Sequence, residues 1–488
     1  MPMHLPRSSS MPRAVPRRRT AGPRLLAALA LLAAAAPAHA QEGKSSPAAT
    51  GLRLTLAQLI TQARQKYPGV EAAQRALEGM EAQLYRAKWA WLPQGQMRGF
   101  VAPSPDIKCL DQNGKPSTTN CFSTTSVDAR SFNISGILAR IELDVGVPLY
   151  TFGKLAAARQ AAAAGVDLRR ELVRATGDDL ELKVTRAYFG LKLAREILRT
   201  VREGKTHLVK AKEKIEKDLD DGEGDSTVTD LLRIQTFTAE VDARIGEGEK
   251  GERIAHAALG MMAGLTGQAF DVDSAVLDPI PGKLDRVGAY LQLARQHRPE
   301  THMVAAAVKA ARAGAAVEKA GFFPDFVLVA YLGYAVATSA DDPQNAFFND
   351  PLNFFGAGFG LAMRWNLDTV QQVGRYRAAR ALARETEARR AEGLAAIDLE
   401  IRREYLELAE AQTRLQATDR GQKAARKWLV ATSQNLSAGL AEPKDLTDAL
   451  LAFFQLRVRY LQAIHDVNVG WAVLGRVVGL AARRIATP

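Results

Sequence analysis

Long heptad helices constrain the fold of this chain more than any other feature of its sequence. In residues 371–484, apolar side chains recur at alternating steps of four and three, with one charged interruption at Arg457. This spacing predicts helices that pack along a continuous seam. A break at 435–443 divides the stretch into two antiparallel helices. The first (371–435) would be roughly 100 Å long at ~1.5 Å per residue.

The same arrangement occurs earlier in the chain. Residues 153–265 contain a second heptad seam, which also breaks at a Gly-rich tip, residues 220–230. Because repeats at a fixed spacing decide architecture, the chain is predicted to contain two internal structural repeats. We place them at 52–270 and 283–484, joined by a linker at 271–282.

Prolines support the same division. Pro68 and Pro93 each have a counterpart 231 residues later, at Pro299 and Pro324. In each half a helix of about 20 residues is predicted between the two prolines, because proline starts a helix but does not continue one.

Each repeat also contains two segments with strand character, which are 94–102 and 134–147 in the first and 325–336 and 354–366 in the second. The later strand of each pair alternates apolar residues with charged or small ones. This pattern is typical of an outer-membrane strand with lipid on one side and water on the other. An ordinary hairpin with one core face is the alternative interpretation.

The number of strands favours the membrane interpretation. Four strands per chain leave open edges that lipid cannot satisfy, and three chains would supply twelve. The predicted fold class is an α+β membrane protein: a trimeric 12-stranded outer-membrane β-barrel continuous with a long periplasmic α-helical barrel.

The first 40 residues are predicted to be a signal peptide. Six arginines precede an apolar run at 25–36, and Ala38-His-Ala40 has the form of a cleavage site. We expect the general secretory route, with a twin-arginine signal at Arg17–Arg19 as the alternative, and a linker at 41–51.

Charge and hydropathy exclude two classes of protein. Without residues 1–40 the chain has 59 basic against 53 acidic residues, spread along its helices, so no nucleic-acid partner is predicted. No later segment reaches 18 uninterrupted apolar residues, so no transmembrane helix is expected.

The doubled order of helices, strands and long hairpins resembles the outer membrane efflux protein family, the TolC-like ducts. The proline pairs carry this resemblance, together with the strand-to-helix turns at 147–154 and 365–375. The tips carry it too, where Gly224 lies six residues before Asp230 and Gly439 six before Asp445.

The resemblance implies a homotrimer in the outer membrane of a Gram-negative cell, in contact with its lipid and extending into the periplasm. Such a duct would carry small molecules, metals or proteins, driven by an inner-membrane transporter and docked to a periplasmic adaptor. The alternative function is a periplasmic coiled-coil scaffold or adaptor without a pore.

Asp445 and Asp448 are the candidate periplasmic gate, because the resemblance places an aspartate pair at this offset from the tip glycine. In a trimer each would form a ring of three carboxylates, which selects cations. The alternative is local helix chemistry, since carboxylates favour a helix N-terminus.

The tips supply the candidate adaptor contacts, although glycine also simply permits a turn. These candidates are Gly222, Gly224, Asp230, Gly439 and Leu440. Cys109 and Cys121 are the two cysteines of the chain and fall in one inter-strand loop. In an exported protein we expect them to form a disulfide rather than two free thiols.

No enzymatic activity, cofactor or metal site is predicted. The histidines are scattered, and no HExxH, Walker or dinucleotide motif stands in a suitable context. A hydrolase is therefore a distant third possibility.

Overall fold

The computed structural model describes residues 52–126, 134–221, 227–274, 276–343, 350, 352–438 and 440–480. The predicted signal peptide (1–40) and linker (41–51) lie outside these residues. So do the tip candidates Gly222, Gly224 and Gly439.

Helices make up most of the described chain. They are α1 (Leu56–Lys66), α2 (Pro68–Lys88), α3 (Lys154–Asp221), α4 (Val228–Ala263), α5 (Val287–His297), α6 (Pro299–Ala320), α7 (Thr369–Ser437) and α8 (Pro443–Val478). Their starts follow from the sequence. Thr55 caps α1 with Gln58 in a capping box, and Pro68 and Pro299 are the first residues of α2 and α6.

The strands divide into three sheets. They are β1 (Leu52–Leu54), β2 (Gln94–Pro105), β3 (Ile107–Leu110), β4 (Ser123–Ser126), β5 (Ile134–Tyr150), β6 (Phe270–Val272), β7 (Asp325–Ala337) and β8 (Phe354–Arg364). The largest sheet has the order β2-β5-β7-β8, and all its neighbours are antiparallel. Its middle pair, β5 with β7, joins the first half of the chain to the second.

The order of elements is the same in both halves of the chain. Two short helices precede two strands of the large sheet, and two long helices follow, first as α1-α2-β2-β5-α3-α4 and then as α5-α6-β7-β8-α7-α8. The observed strands β2 and β5 each extend three residues beyond the predicted segments, and β8 ends two residues earlier.

The predicted inter-repeat linker, 271–282, needs correction at its start. Asp271 and Val272 complete β6, because they pair with Arg53 and Leu54 of β1 in a parallel ladder. Strands of three or four residues are too short to show an alternation in the sequence. The short antiparallel pair of β3 and β4 was missed for the same reason.

The core follows the heptad seams. Leu180, Val184 and Leu191 of α3 are buried, as are Ile401 and Leu408 of α7. They belong to two apolar clusters where α3, α7 and α8 meet the short helices α1 and α5. The seam interruption, Arg457, is half-buried, with its guanidinium 5.6 Å from the Tyr460 ring centroid. The long helices therefore pack as their spacing predicts.

Among the described helices, none combines the length and the apolar character that a membrane span requires.

Candidate functional site

The four-stranded sheet has one continuous apolar face. Its register aligns Met97, Leu143 and Leu332 across β2, β5 and β7, and Ile141, Tyr334 and Phe355 across β5, β7 and β8. Most of these side chains are exposed, and Phe355 retains 72% of its accessible surface. The predicted alternation is thus present in the structure, and its apolar side covers no core within the chain. Exposed apolar area of this extent marks an interaction surface.

The opposite face of the sheet carries ion pairs on β2 and β5 and mainly glycine and other uncharged residues on β7 and β8. Arg98 of β2 donates to Asp144 of β5 at 2.8 Å, and Arg140 pairs with Glu142 two residues along β5. This charge pairing satisfies the polar groups without burying them, which suits a wall that faces water. The two faces therefore have the opposite solvent preferences that a membrane-spanning sheet needs.

Both outer edges of this sheet are open. The structure describes no strand paired with the free side of β2 or with the free side of β8. β8 also carries exposed Phe359 and Leu361. A long apolar edge strand is a template for pairing with another chain.

A tight turn carries the chain from β5 into α3. Phe152 has a positive φ of 47° and Gly153 a φ of 83°, so the turn uses a conformation that side chains rarely adopt. The ring of Phe152 stacks on Phe323 at 4.8 Å between centroids, and Lys154 Nζ donates to Asp325 at 2.6 and 2.8 Å. These contacts fix the first long hairpin to the start of β7.

The tips place two predicted site residues in the same local role. Asp230 is the third residue of α4 and accepts from Thr227 N at 3.2 Å, while Asp445 is the third residue of α8 and accepts from Glu442 N at 3.3 Å. Each aspartate completes a capping box. For Asp445 the sequence allowed local helix chemistry but not a capping box, and for Asp230 the box was missed, although Thr227 three residues earlier is the usual signal for it.

The gate candidates Asp445 and Asp448 and the tip candidate Leu440 are exposed. Asp448 lies one turn beyond Asp445 on α8. Leu440 keeps 77% of its accessible surface. An apolar side chain exposed to this degree at a helix tip is available to a partner.

The two cysteines that the sequence predicts to be paired lie together at the far end of the sheet. Cys109 and Cys121 are joined in a disulfide, with their Cα atoms 5.3 Å apart. The backbone N–H of Cys109 also donates to the carboxylate of Asp341 at 3.1 Å. Because Asp341 follows β7, the loop of the first half is tied to the loop of the second.

An ion cluster around the buried Arg298 was not apparent from the sequence. Arg298, at the start of α6, donates to Glu300 at 3.1 Å and to Glu400 of α7 at 2.6 Å. Arg476 of α8 donates to Glu300 and to Asp179 of α3, both at 2.6 Å. The cluster thus links four helices where the two halves meet. The described residues contain no group of three or more His, Cys, Asp or Glu side chains arranged to hold a metal.

One protein-family model matches part of the chain. Residues 290–480 match the family model described as outer membrane efflux protein. No curated protein sequence matches the chain.

Solved structures share the fold over nearly the whole chain. The outer membrane protein VceC from Vibrio cholerae has a TM-score of 0.69 at 19% identity, over 87% of this chain and 96% of that one. The open state of the Neisseria gonorrhoeae outer membrane channel MtrE has a TM-score of 0.69 at 15% identity, over 89% and 91%. CusC, described in connection with transmembrane channel formation, has a TM-score of 0.70 at 17% identity, over 90% and 95%.

Proposed function

Because residues 290–480 match the outer membrane efflux protein family, we propose that the chain is the exit duct of a tripartite efflux or type I secretion system. It is an outer-membrane protein that extends into the periplasm. In the proposed role it is a passive conduit for small molecules, metals or proteins, and it catalyses no reaction. An inner-membrane transporter supplies the energy, and a periplasmic adaptor joins the two.

One observation carries this proposal: the open-edged sheet that is apolar on one side and ion-paired on the other. In lipid, every backbone N–H and C=O needs a partner, so open edges must be closed. Three copies of a four-stranded sheet supply twelve strands, an even number within the range of outer-membrane barrels. The apolar face then contacts lipid and the paired face lines the duct.

The long hairpins extend the duct into the periplasm. α7 has 69 residues, so at ~1.5 Å per residue it is about 100 Å long. A trimer would bring three Asp445 and three Asp448 carboxylates to the periplasmic mouth as a cation-selective gate. The exposed tip residue Leu440, with Gly222, Gly224, Asp230 and Gly439, would meet the adaptor.

The apolar face also argues against a pore-free periplasmic scaffold. Such a protein would expose Phe355, Phe359 and Met363 to water, which is unfavourable by ~25 cal/mol for each Å² of apolar surface.

The proposal is tested with the full-length protein expressed in a Gram-negative host. We expect it in the outer-membrane fraction, as an SDS-resistant trimer that forms ion-conducting channels in planar bilayers. A monomer that remains dissolved in detergent-free buffer would exclude the duct. A trimer that conducts no ions would leave only the structural part of the proposal.

A further inference from the structure

The polar face of the sheet contains a row of glycines. Gly333 of β7 pairs directly with Gly356 of β8, and Gly358 and Gly360 continue along the same face of β8. Glycine weakens a strand and marks places where another group approaches the backbone closely. The side chains that lie against these glycines therefore show which groups the missing side chains make room for.

Two aromatic rings lie over these glycines. A Cβ atom added at Gly356 would stand 2.2 Å from the hydroxyl oxygen of Tyr331, and one added at Gly333 would stand 3.0 Å from Cε2 of Phe354. At Gly358 the nearest atom, also of Tyr331, would be 3.5 Å away. Both rings thus lie along the sheet, in the space that side chains on β7 and β8 would otherwise fill.

The neighbours of the rings hold them there. Tyr331 stands between Asp144 of β5 and Gly358 of β8 in the register. The guanidinium carbon of Arg140 lies 5.2 Å from the centroid of Phe354, and Arg140 is itself paired with Glu142. Tyr331 nevertheless keeps 49% of its accessible surface, so one side of its ring faces open space.

We propose that Gly333, Gly356 and Gly358 form a bed that keeps Tyr331 and Phe354 flat against the duct wall, and that this bed sets the free width of the duct at that level. The inference rests on the proposed function, since it requires the polar face to line the bore. With three copies, three such beds face one another across the lumen. They limit the size of the cargo that passes through the sheet region.

A methyl group at Gly356 tests this directly. The group that it would strike is the far end of the Tyr331 side chain, which can move without disturbing the backbone. The sheet lies below the ring, and Phe354 is already 3.7 Å from the new methyl group on one side. We therefore expect the ring to lift away from the wall, into the bore.

The chain offers a matched control on the same strand and the same face. A Cβ atom at Gly360 would meet nothing within 4 Å. Gly360→Ala therefore changes strand propensity as Gly356→Ala does, but displaces no ring.

The experiment measures the largest polyethylene glycol that enters single channels in planar bilayers from the extracellular side. One-sided addition reports the width of the sheet region whatever the state of the periplasmic mouth. We expect Gly356→Ala to lower the size limit, Gly360→Ala to leave it unchanged, and the double variant Gly356→Ala/Tyr331→Ala to restore it. Each variant is first checked for the SDS-resistant trimer.

The outcomes separate this inference from the proposed function. Absence of channels in the wild-type protein would reject the duct. Wild-type channels with the same size limit in the Gly356→Ala and Gly360→Ala variants would overturn the glycine bed alone. A narrowing that persists in the double variant would do so too, because the displaced ring could not be its cause.

Discussion

Single residues join the two halves of the molecule, and Arg298 is the clearest case. Its side chain is buried, and beyond its two carboxylate partners it donates to the backbone carbonyl of Val477 at 3.2 Å. The start of α6, the middle of α7 and the end of α8 therefore meet at one guanidinium. A buried charge in this position tolerates the loss of its partners poorly.

We expect Arg298→Ala to destabilise the protein by about 1–3 kcal/mol, because the partly buried Glu400 carboxylate and the Val477 carbonyl lose their donor, while Glu300 keeps Arg476. Thermal unfolding of the detergent-solubilised protein, followed by helical circular dichroism, measures the loss. Arg295→Ala is the control, since Arg295 pairs with Asp398 at 3.5 Å on the surface and should cost less than about 1 kcal/mol. Equal losses of stability in the two variants would contradict a stabilising role for the ion cluster around Arg298.

Glu300 gives the same cluster a dependence on pH. Burial alone would raise its pKa, but the charges of Arg298 and Arg476 outweigh burial and lower the pKa from its ordinary 4.5. A carboxyl whose pKa is lower in the folded protein stabilises the fold at pH values above its unfolded pKa. This stabilisation is lost as the pH falls through the pKa of the folded protein. We therefore expect acid to destabilise wild-type protein below about pH 4.5.

Comparing Glu300→Gln with wild type isolates this contribution. The variant should be less stable at neutral pH, and its melting temperature should fall less between about pH 6 and about pH 3, the range in which carboxylates titrate. If the melting temperatures of the two proteins fall equally with pH, then groups other than Glu300 cause the acid sensitivity.

The sequence predicted little of this cluster, for a physical reason. Arg298 lies in the segment that marks the second repeat, but Glu400 and Val477 are 102 and 179 residues away. No local spacing encodes such contacts. The glycines on one face of β8 did show in the alternation, whereas the ring that lies over Gly356 comes from the neighbouring strand.

At the scale of elements, α4 and α8 begin in the same way, and this complicates the gate. Asp445 serves the capping box of α8, so removing it disturbs the helix start as well as the proposed carboxylate ring. Asp230 serves the same capping box in α4. The two effects can therefore be separated within one protein.

We expect Asp445→Ala combined with Asp448→Ala to raise single-channel conductance and weaken block by cations, because two carboxylate rings leave the mouth. Asp230→Ala removes the matching cap from the other tip and should change neither property. Unchanged conductance in the double variant would reject the gate. An equal rise in conductance in the Asp230→Ala variant would instead show that the loss of a helix cap, and not of the carboxylate rings, raises the conductance.

Elements were predictable where their pattern was long. The heptads of α3, α7 and α8 extend over many turns, and β5 alternates for more than ten residues. The pairs β1–β6 and β3–β4 consist of strands of three or four residues, which are too short to show a period. Their pairing depends on what the rest of the fold brings together.

At the scale of the whole molecule, the sequence predicted four strands but not their order. The central contact of the sheet is between β5 and β7, which belong to different halves of the chain. A single half therefore contributes one edge strand and one inner strand. The four-stranded sheet therefore needs both halves of the chain.

The matched lengths of the two hairpins have a further consequence. α3 and α7 have 68 and 69 residues, and α4 and α8 have 36 each. The two helical hairpins, α3–α4 and α7–α8, therefore extend over the same length. An insertion of one helical turn in a single hairpin would offset its end by about 5.4 Å, so such a change has to be copied in the other hairpin to keep the rim level.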